Sequence, residues 1–185
     1  MIDYKTISLA NQVYNKLEMA ILSGEYKTGE VITEKRLAEE LGVSRTPIRE
    51  AFAALAQANL IGESSKGTIV LGITQKDLED IFEVKRRLEI MTATWVVDNI
   101  DDEGIAKLKE ILEQQEFYAG KGDSEKVRNF DTEFHAIMYA NCGSKVMENI
   151  LTPLHRKMLK YRKVSLENPE RIKKAIQEHK GIYNA

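Results

Sequence analysis

The stretch RNFDTEFHAIMY, residues 128–139, places Asp131 four residues before His135. On a helix that spacing stacks the two side chains one turn apart on one wall. With Val127 at zero and a step of about 100° per residue, Phe130, Phe134, Ile137 and Met138 fill the apolar arc. On the same wheel Asp131 falls at about 40° and His135 at about 80°, beside the buried face. A carboxylate and an imidazole so placed can share one divalent ion. They can equally close a hydrogen bond that satisfies a half-buried ring. His179 is a third candidate ligand, because Ile172, Ala175, Ile176 and Ile182 share its side of the final helix. Three inward ligands from two helices are what a metal site inside a helical bundle needs. Asp plus His suits zinc, nickel and manganese alike. His155 flanks Leu151, Leu154 and Met158 in a similar way and reads as structural.

A second set of residues suits a different chemistry. In LAEELGVSRTPIREAFAAL, residues 37–55, Ile48, Ala51, Phe52 and Leu55 share one helical face. Arg45, Thr46 and Arg49 point elsewhere, at the start of the helix, where side chains can reach base edges and phosphates. Lys35, Arg36 and Lys66 complete a local basic cluster. Residues 1–72 hold eight Lys or Arg, Lys5 among them, against nine Asp or Glu, so DNA contact has to rest on that cluster. The alternative is a solvated charged face on an ordinary helical hairpin.

The elements that must position these residues are almost all helical. Ile7 to Ile21 repeats its apolar residues at three and four and stops at Gly24. A short helix runs from Thr33, its N-cap, to Leu41, closed by Gly42. The next starts at Ser44 with Pro47 in its first turn and runs to Ala58, where Asn59 suits a left-handed cap. LIGES, a turn at SKG and TIVLGI read as a small hairpin. Helix, helix–turn–helix and hairpin together form a winged helix-turn-helix. From Thr74 onward strand signals vanish. A long amphipathic helix starts at TQKD, a second near Asp101, and a third carries Val127 to Met138. A fourth spans Ser144 to Leu166, and the last opens at Asn168 and Pro169. The expected fold is mainly α: a DNA-binding domain over 1–72 and an all-helical antiparallel bundle over 74–185.

Composition fits a soluble globular protein of 185 residues, 43% hydrophobic and 30% charged, with a net charge of −2. No run approaches the ~20 apolar residues of a membrane span, and the N-terminus lacks the pattern of a signal peptide. The single cysteine, Cys142, excludes an intrachain disulfide and fits a reducing cytoplasm.

The segment TGEVITEKRLAEELGVSRTPIREAFAALAQANLI, with KGTIV after it, resembles the N-terminal domain of GntR-family bacterial transcription regulators. That resemblance implies DNA contacts from Lys35, Ser44, Arg45, Thr46 and Arg49, with Lys66 and Gly67 at the wing tip. Asn59 stands where the family usually has glycine, and the wing has one basic residue where the family often has more. Residues 74–185, through IFEVKRRLE, FDTEFHAIMY and EHKGIYNA, resemble the FadR-type effector domain called FCD. The resemblance implies a divalent metal on Asp131, His135 and His179. It also implies a fourth histidine about one helix beyond His179, outside this sequence, so a weakened site with an open flank is expected. A small organic acid is the implied effector, with Arg86, Arg87 and Arg162 as candidate partners for its carboxylate. The expected function is a dimeric, effector-controlled regulator, a repressor by resemblance, that binds a palindromic double-stranded operator. A metal-dependent enzyme using the same three ligands is the alternative. It lacks an evident general base and leaves residues 1–72 without a purpose.

Overall fold

A computed structural model describes residues 7–185; residues 1–6, with Lys5, lie outside the described residues. The chain divides into two compact units, residues 1–75 and 76–185. In the first unit the order is α1 (Leu9–Ser23), α2 (Glu34–Leu41), α3 (Arg45–Gln57), β1 (Ile61–Ser64) and β2 (Gly67–Val70). The expected punctuation is in place. Thr33 Oγ1 accepts from the Arg36 N–H, and Gly42 closes α2 in the left-handed conformation at φ 66°. Asn59 turns the chain out of α3 at φ 56°, the one non-glycine residue with positive φ among those described.

α3 is held from below. Ile48 and Leu55 are fully buried, Ala51 and Pro47 lie beside them, and α3 packs on both α1 and α2. Each such Ile or Leu stabilises by roughly 1.5–3 kcal/mol on burial. The hairpin pairs Ile61 with Val70 and Ser64 with Gly67, antiparallel. Val31 adds a bridge to Ile69, and Val70 N–H donates to Glu30 O, so the wing is tied to the segment before α2.

The second unit is helical throughout: α4 (Gln75–Asn99), α5 (Asp102–Gly120), α6 (Ser124–Ala140), α7 (Lys145–Lys157), α8 (Leu159–Ser165) and α9 (Pro169–Tyr183). Asp101, Ser144 and Asn168 each cap the following helix through a side-chain oxygen. α6 carries Val127 to Met138 as expected and begins at Ser124, where Asp123 supplies a cap that accepts from Lys126 N–H. The single helix expected over 144–166 is two: at Met158 the N–H reaches back three residues to His155 O, a tighter turn that ends α7 before α8 resumes. One core gathers Val96, Leu108, Leu112, Phe134, Met138, Cys142, Met147 and Leu151, and a second gathers Val127, Leu166, Ile172, Ala175 and Ile176. Cys142 is 1% exposed inside the first, a packing residue.

Candidate functional site

α6 sits in the middle of the second unit, against α5, α7, α8 and α9. Its inward wall opens on a cavity of about 430 Å³. All three histidines of the chain line that cavity. Asp131, His135 and His179 each bring one ligand atom to within 4.8 Å of the others. Asp131 Oδ1 lies 3.6 Å from His179 Nε2. The three predicted metal residues therefore converge, although α9 follows α6 only after two intervening helices.

Each of the three is oriented from behind. His179 Nδ1 lies 3.0 Å from the Gln115 Oε1 on α5, which can only accept, so Nδ1 carries the proton and Nε2 offers its lone pair toward Asp131. The Arg162 guanidinium on α8 holds Asp131 Oδ2, and is itself fixed by Thr132 Oγ1 at 3.1 Å and Arg128 O at 3.3 Å. Glu89 Oε1 on α4 faces His135 Nδ1 at 3.4 Å. An outer carboxylate, amide or guanidinium behind each ligand is the support that a metal site requires.

The electrostatics agree. Burial opposes ionisation of Asp131, but the facing His135, Arg162 and His179 outweigh it and hold the carboxyl below its ordinary range. Burial lowers His135, against the pull of Asp131 and Glu89. Burial, then the neighbouring His135, brings His179 down to about 4 and His155 well below its ordinary value. All three rings are neutral near pH 7, the state in which imidazole binds a metal. The residues present thus fit a divalent cation.

Around this centre stands a second polar group that the sequence did not reveal. Lys85 Nζ lies 2.5 Å from Glu89 Oε1 and 2.7 Å from the Tyr139 hydroxyl, and Tyr139 donates to Glu89. Burial lowers Lys85 and raises Tyr139. The His155 ring lies 4.6 Å from that of His135, a cavity position where a purely structural residue was expected. The signal was present in part: Ile81, Lys85, Thr92 and Val96 form one buried stripe, with Leu88 partly buried on it, and Gln115 continues the Leu108, Ile111, Leu112 stripe. Polar residues in such stripes face inward.

The three arginines proposed for an effector part company. Arg162 lines the cavity. Arg86 and Arg87 do not. Both are exposed on the outer side of α4 and pair with Glu83, because Lys85 takes the inward position of that turn. Arg171 and Lys174 on α9 supply further positive charge to the cavity lining.

In the first unit all eight predicted DNA contacts, Lys35, Arg36, Ser44, Arg45, Thr46, Arg49, Lys66 and Gly67, are exposed. Arg45 and Thr46 open α3 at its N-terminal end, where the backbone N–H groups suit a phosphate. Arg49, one turn on, is 72% exposed and held by Glu34 through two N–H groups at 3.3 Å. Arg36 is engaged with Glu40 at 2.7 Å and Glu30 at 3.1 Å. At the wing tip Ser64 Oγ donates to Gly67 O and accepts from Lys66 N–H, and Gly67 takes φ 107°. No helix among the described residues is long and apolar enough to cross a membrane.

Comparison with known proteins settles the family. Residues 9–70 match bacterial regulatory proteins of the gntR family, and residues 80–185 match the FCD domain. The Bacillus subtilis regulator YdhC is 30% identical over 175 residues, covering 93% of this chain and 78% of the relative. The Escherichia coli regulator McbR is 30% identical over 155 residues, covering 83% and 70%. The E. coli McbR/YncC structure superimposes with a TM-score of 0.71 at 25% identity, over 97% of this chain and 98% of the other. The matched domains are DNA-binding and regulatory and the relatives are named as transcription regulators, so the enzyme alternative has no support. A winged helix with exposed Arg45 and Arg49 near the start of α3, joined in one chain to a helical FCD domain, makes this protein a member of the GntR family of bacterial transcription regulators.

Proposed function

We propose that this regulator binds a palindromic double-stranded operator as a homodimer in the cytoplasm and is controlled by a small organic acid received at a divalent metal in the second unit. The observation that carries the effector half is the convergence of Asp131, His135 and His179, each braced from behind, on a cavity that also presents Lys85, Arg162, Arg171 and Lys174. A cation flanked by basic side chains suits carboxylate oxygens. When bound, the metal supplies a Lewis-acidic anchor for one carboxylate. Arg162 keeps Asp131 aimed, Gln115 keeps His179 in its ligating tautomer, and Arg171 with Lys174 meets the rest of the anion. Two relatives in Bacillus, 33% and 34% identical over 65% and 67% of this chain, are named gluconate operon transcriptional repressors, which supports a carboxylate effector and a repressing role.

The DNA half rests on Arg45, Thr46 and Arg49 leaving a helix that is otherwise anchored, with Lys35 and Arg36 on the neighbouring helix and Ser44, Lys66 and Gly67 at the backbone. A two-fold operator matches a two-fold protein, and one winged helix alone binds too weakly for useful specificity. The effector acts only if it prefers one placement of the two reading helices over another. Two measurements test the proposal. Gel shifts should weaken with Arg45→Ala and Arg49→Ala, and metal analysis of protein purified without chelator should find less metal in Asp131→Ala and His135→Ala. Undiminished operator binding refutes the first half, and equal metal content in all three proteins refutes the second.

A further inference from the structure

Glu34 opens α2, and Arg49 stands one turn into α3, fifteen residues on and across the turn between the two helices. Arg49 Nε donates to Glu34 Oε1 and Nη2 donates to Oε2, both at 3.3 Å. This pairing takes up the side of the guanidinium that Nε and Nη2 share. The outer edge, formed by Nη1 and the second proton of Nη2, is left for another acceptor, and the Arg49 side chain is 72% exposed. Glu34 and Arg49 both border a groove that runs on to Gly67 and Thr68 of the wing.

Stability does not explain the pair. An ion pair with so exposed a partner contributes little, and holding a long arginine in one geometry costs side-chain entropy. Charge at the start of α2 does not explain it either. Any carboxylate there meets the helix dipole without reaching across to α3. A second arginine of the first unit is offset in the same manner, since Arg36 lies 2.7 Å from Glu40 and 3.1 Å from Glu30.

We propose that Glu34 is a positioning residue for DNA recognition. It clamps Arg49 from the side, aims the outer edge of the guanidinium, and offsets the charge that would draw Arg49 to any phosphate. The inference rests on the reading of Arg49 as a DNA contact given above. Attraction to phosphates follows charge and is blind to sequence. Meeting a particular pair of acceptors depends on direction, and a guanidinium already held in place loses less freedom on binding. The clamp therefore weakens the hold on arbitrary DNA and favours the duplex whose acceptors lie along that edge. The edge fits two acceptors side by side, which guanine O6 and N7 provide, as do two oxygens of one phosphate.

The test uses the full chain and two probes: a duplex selected from random sequence by the wild type, and a scrambled duplex of the same length. Fluorescence anisotropy over a salt series is run on the wild type, Glu34→Gln, Glu34→Asp, Arg49→Ala and the Glu34→Gln, Arg49→Ala double variant. Glu34→Gln is expected to lower the ratio of selected to scrambled affinity about fivefold to fiftyfold. It should also steepen the salt slope on the scrambled duplex by about 1. Glu34→Asp keeps the charge but is one methylene shorter, so it should lower the ratio and leave that slope as in the wild type. With Arg49→Ala already present, Glu34→Gln should change the ratio by less than about twofold, because the clamp has nothing left to hold. Single-base changes in the selected duplex separate the two acceptor sources: Arg49→Ala erases preference at one base pair if the pair is on guanine, and at none if it is on a phosphate. A ratio that stays within about twofold of the wild type in both Glu34 variants overturns the clamp and leaves Arg49 as a DNA contact. An equal fall with and without Arg49 overturns it too, since Glu34 then acts by repulsion alone. An Arg49→Ala protein that binds the selected duplex as tightly as the wild type overturns the DNA reading of Arg49 and the clamp with it. Where Glu34→Gln does not fold, Glu34→Asp carries the same ratio test.

Discussion

Gln115 is 1% exposed and polar, in the middle of an apolar stripe on α5, and its amide oxygen meets His179 Nδ1. Losing an outer partner of a metal-bound histidine typically costs 10–100-fold in metal affinity. Gln115→Leu should therefore bind Zn²⁺ about 10–100-fold more weakly than wild type in a competition titration, with little change in helicity. The cationic side chains proposed to meet DNA divide by task. Lys35→Ala, removing a phosphate-type contact, should weaken all sequences alike and lower the salt slope by about 1. Arg45→Ala should cost about 1–3 kcal/mol and relax preference at one base position, read from a panel of mutated operators. Glu34 is half-buried but pairs with a well-exposed Arg49, so its loss should cost at most about 1 kcal/mol of stability. Side chains of this kind were legible as candidates because charge at a helix start needs no tertiary knowledge. His155 was not: its flanks look like any core position, and only the approach of Lys85 and His135 places it at the cavity.

Single helices reveal how much of the fold is local. Caps at Thr33, Asp101, Ser144 and Asn168 and left-handed turns at Gly42 and Asn59 stand where residue type alone puts them. The break at Met158 was missed, since Pro153 lies inside α7 rather than at the break and the tightening appears only in the backbone bonding. The turn between α6 and α7 carries a stronger constraint. Gly143 sits at φ 72°, and a Cβ there would meet Asn99 side-chain atoms at 2.6 Å. Gly143→Ala combines left-handed strain with that clash. Urea denaturation should find it about 1–3 kcal/mol less stable than wild type. Gly122→Ala, at a similar φ with nothing within 4 Å, isolates the strain and should lose less.

For the molecule as a whole, the buried neutral imidazoles link stability to pH. In metal-free protein His179 titrates near 4 when folded against about 6.5 when unfolded. Above pH 6.5 neither state binds this proton. Between 6.5 and 4 the unfolded chain takes it up and the folded chain does not, so stability falls as pH falls, by about 3 kcal/mol in total from this group. Denaturation midpoints of chelated protein from pH 7 to 4 should show the decline, and His179→Phe should make it shallower, the part left coming from His135 and His155. Metal added near pH 7 should raise the melting temperature of the wild type and leave Asp131→Ala unmoved, because a ligand bound only by the folded state stabilises it by mass action.

By itself the sequence determined the helical periods, the caps, the winged helix-turn-helix with its exposed Arg45 and Arg49, and the inward turn of Asp131, His135 and His179. These follow from local sterics and from which positions are apolar. Tertiary structure decided which inward faces meet. It placed Gln115 behind His179 and Arg162 behind Asp131, turned Lys85 inward where Arg86 and Arg87 point out, and brought His155 beside His135. Helix periodicity specifies the side of a helix on which a residue lies, while the partner across the gap depends on how five other helices pack, and a one-dimensional pattern holds no record of that.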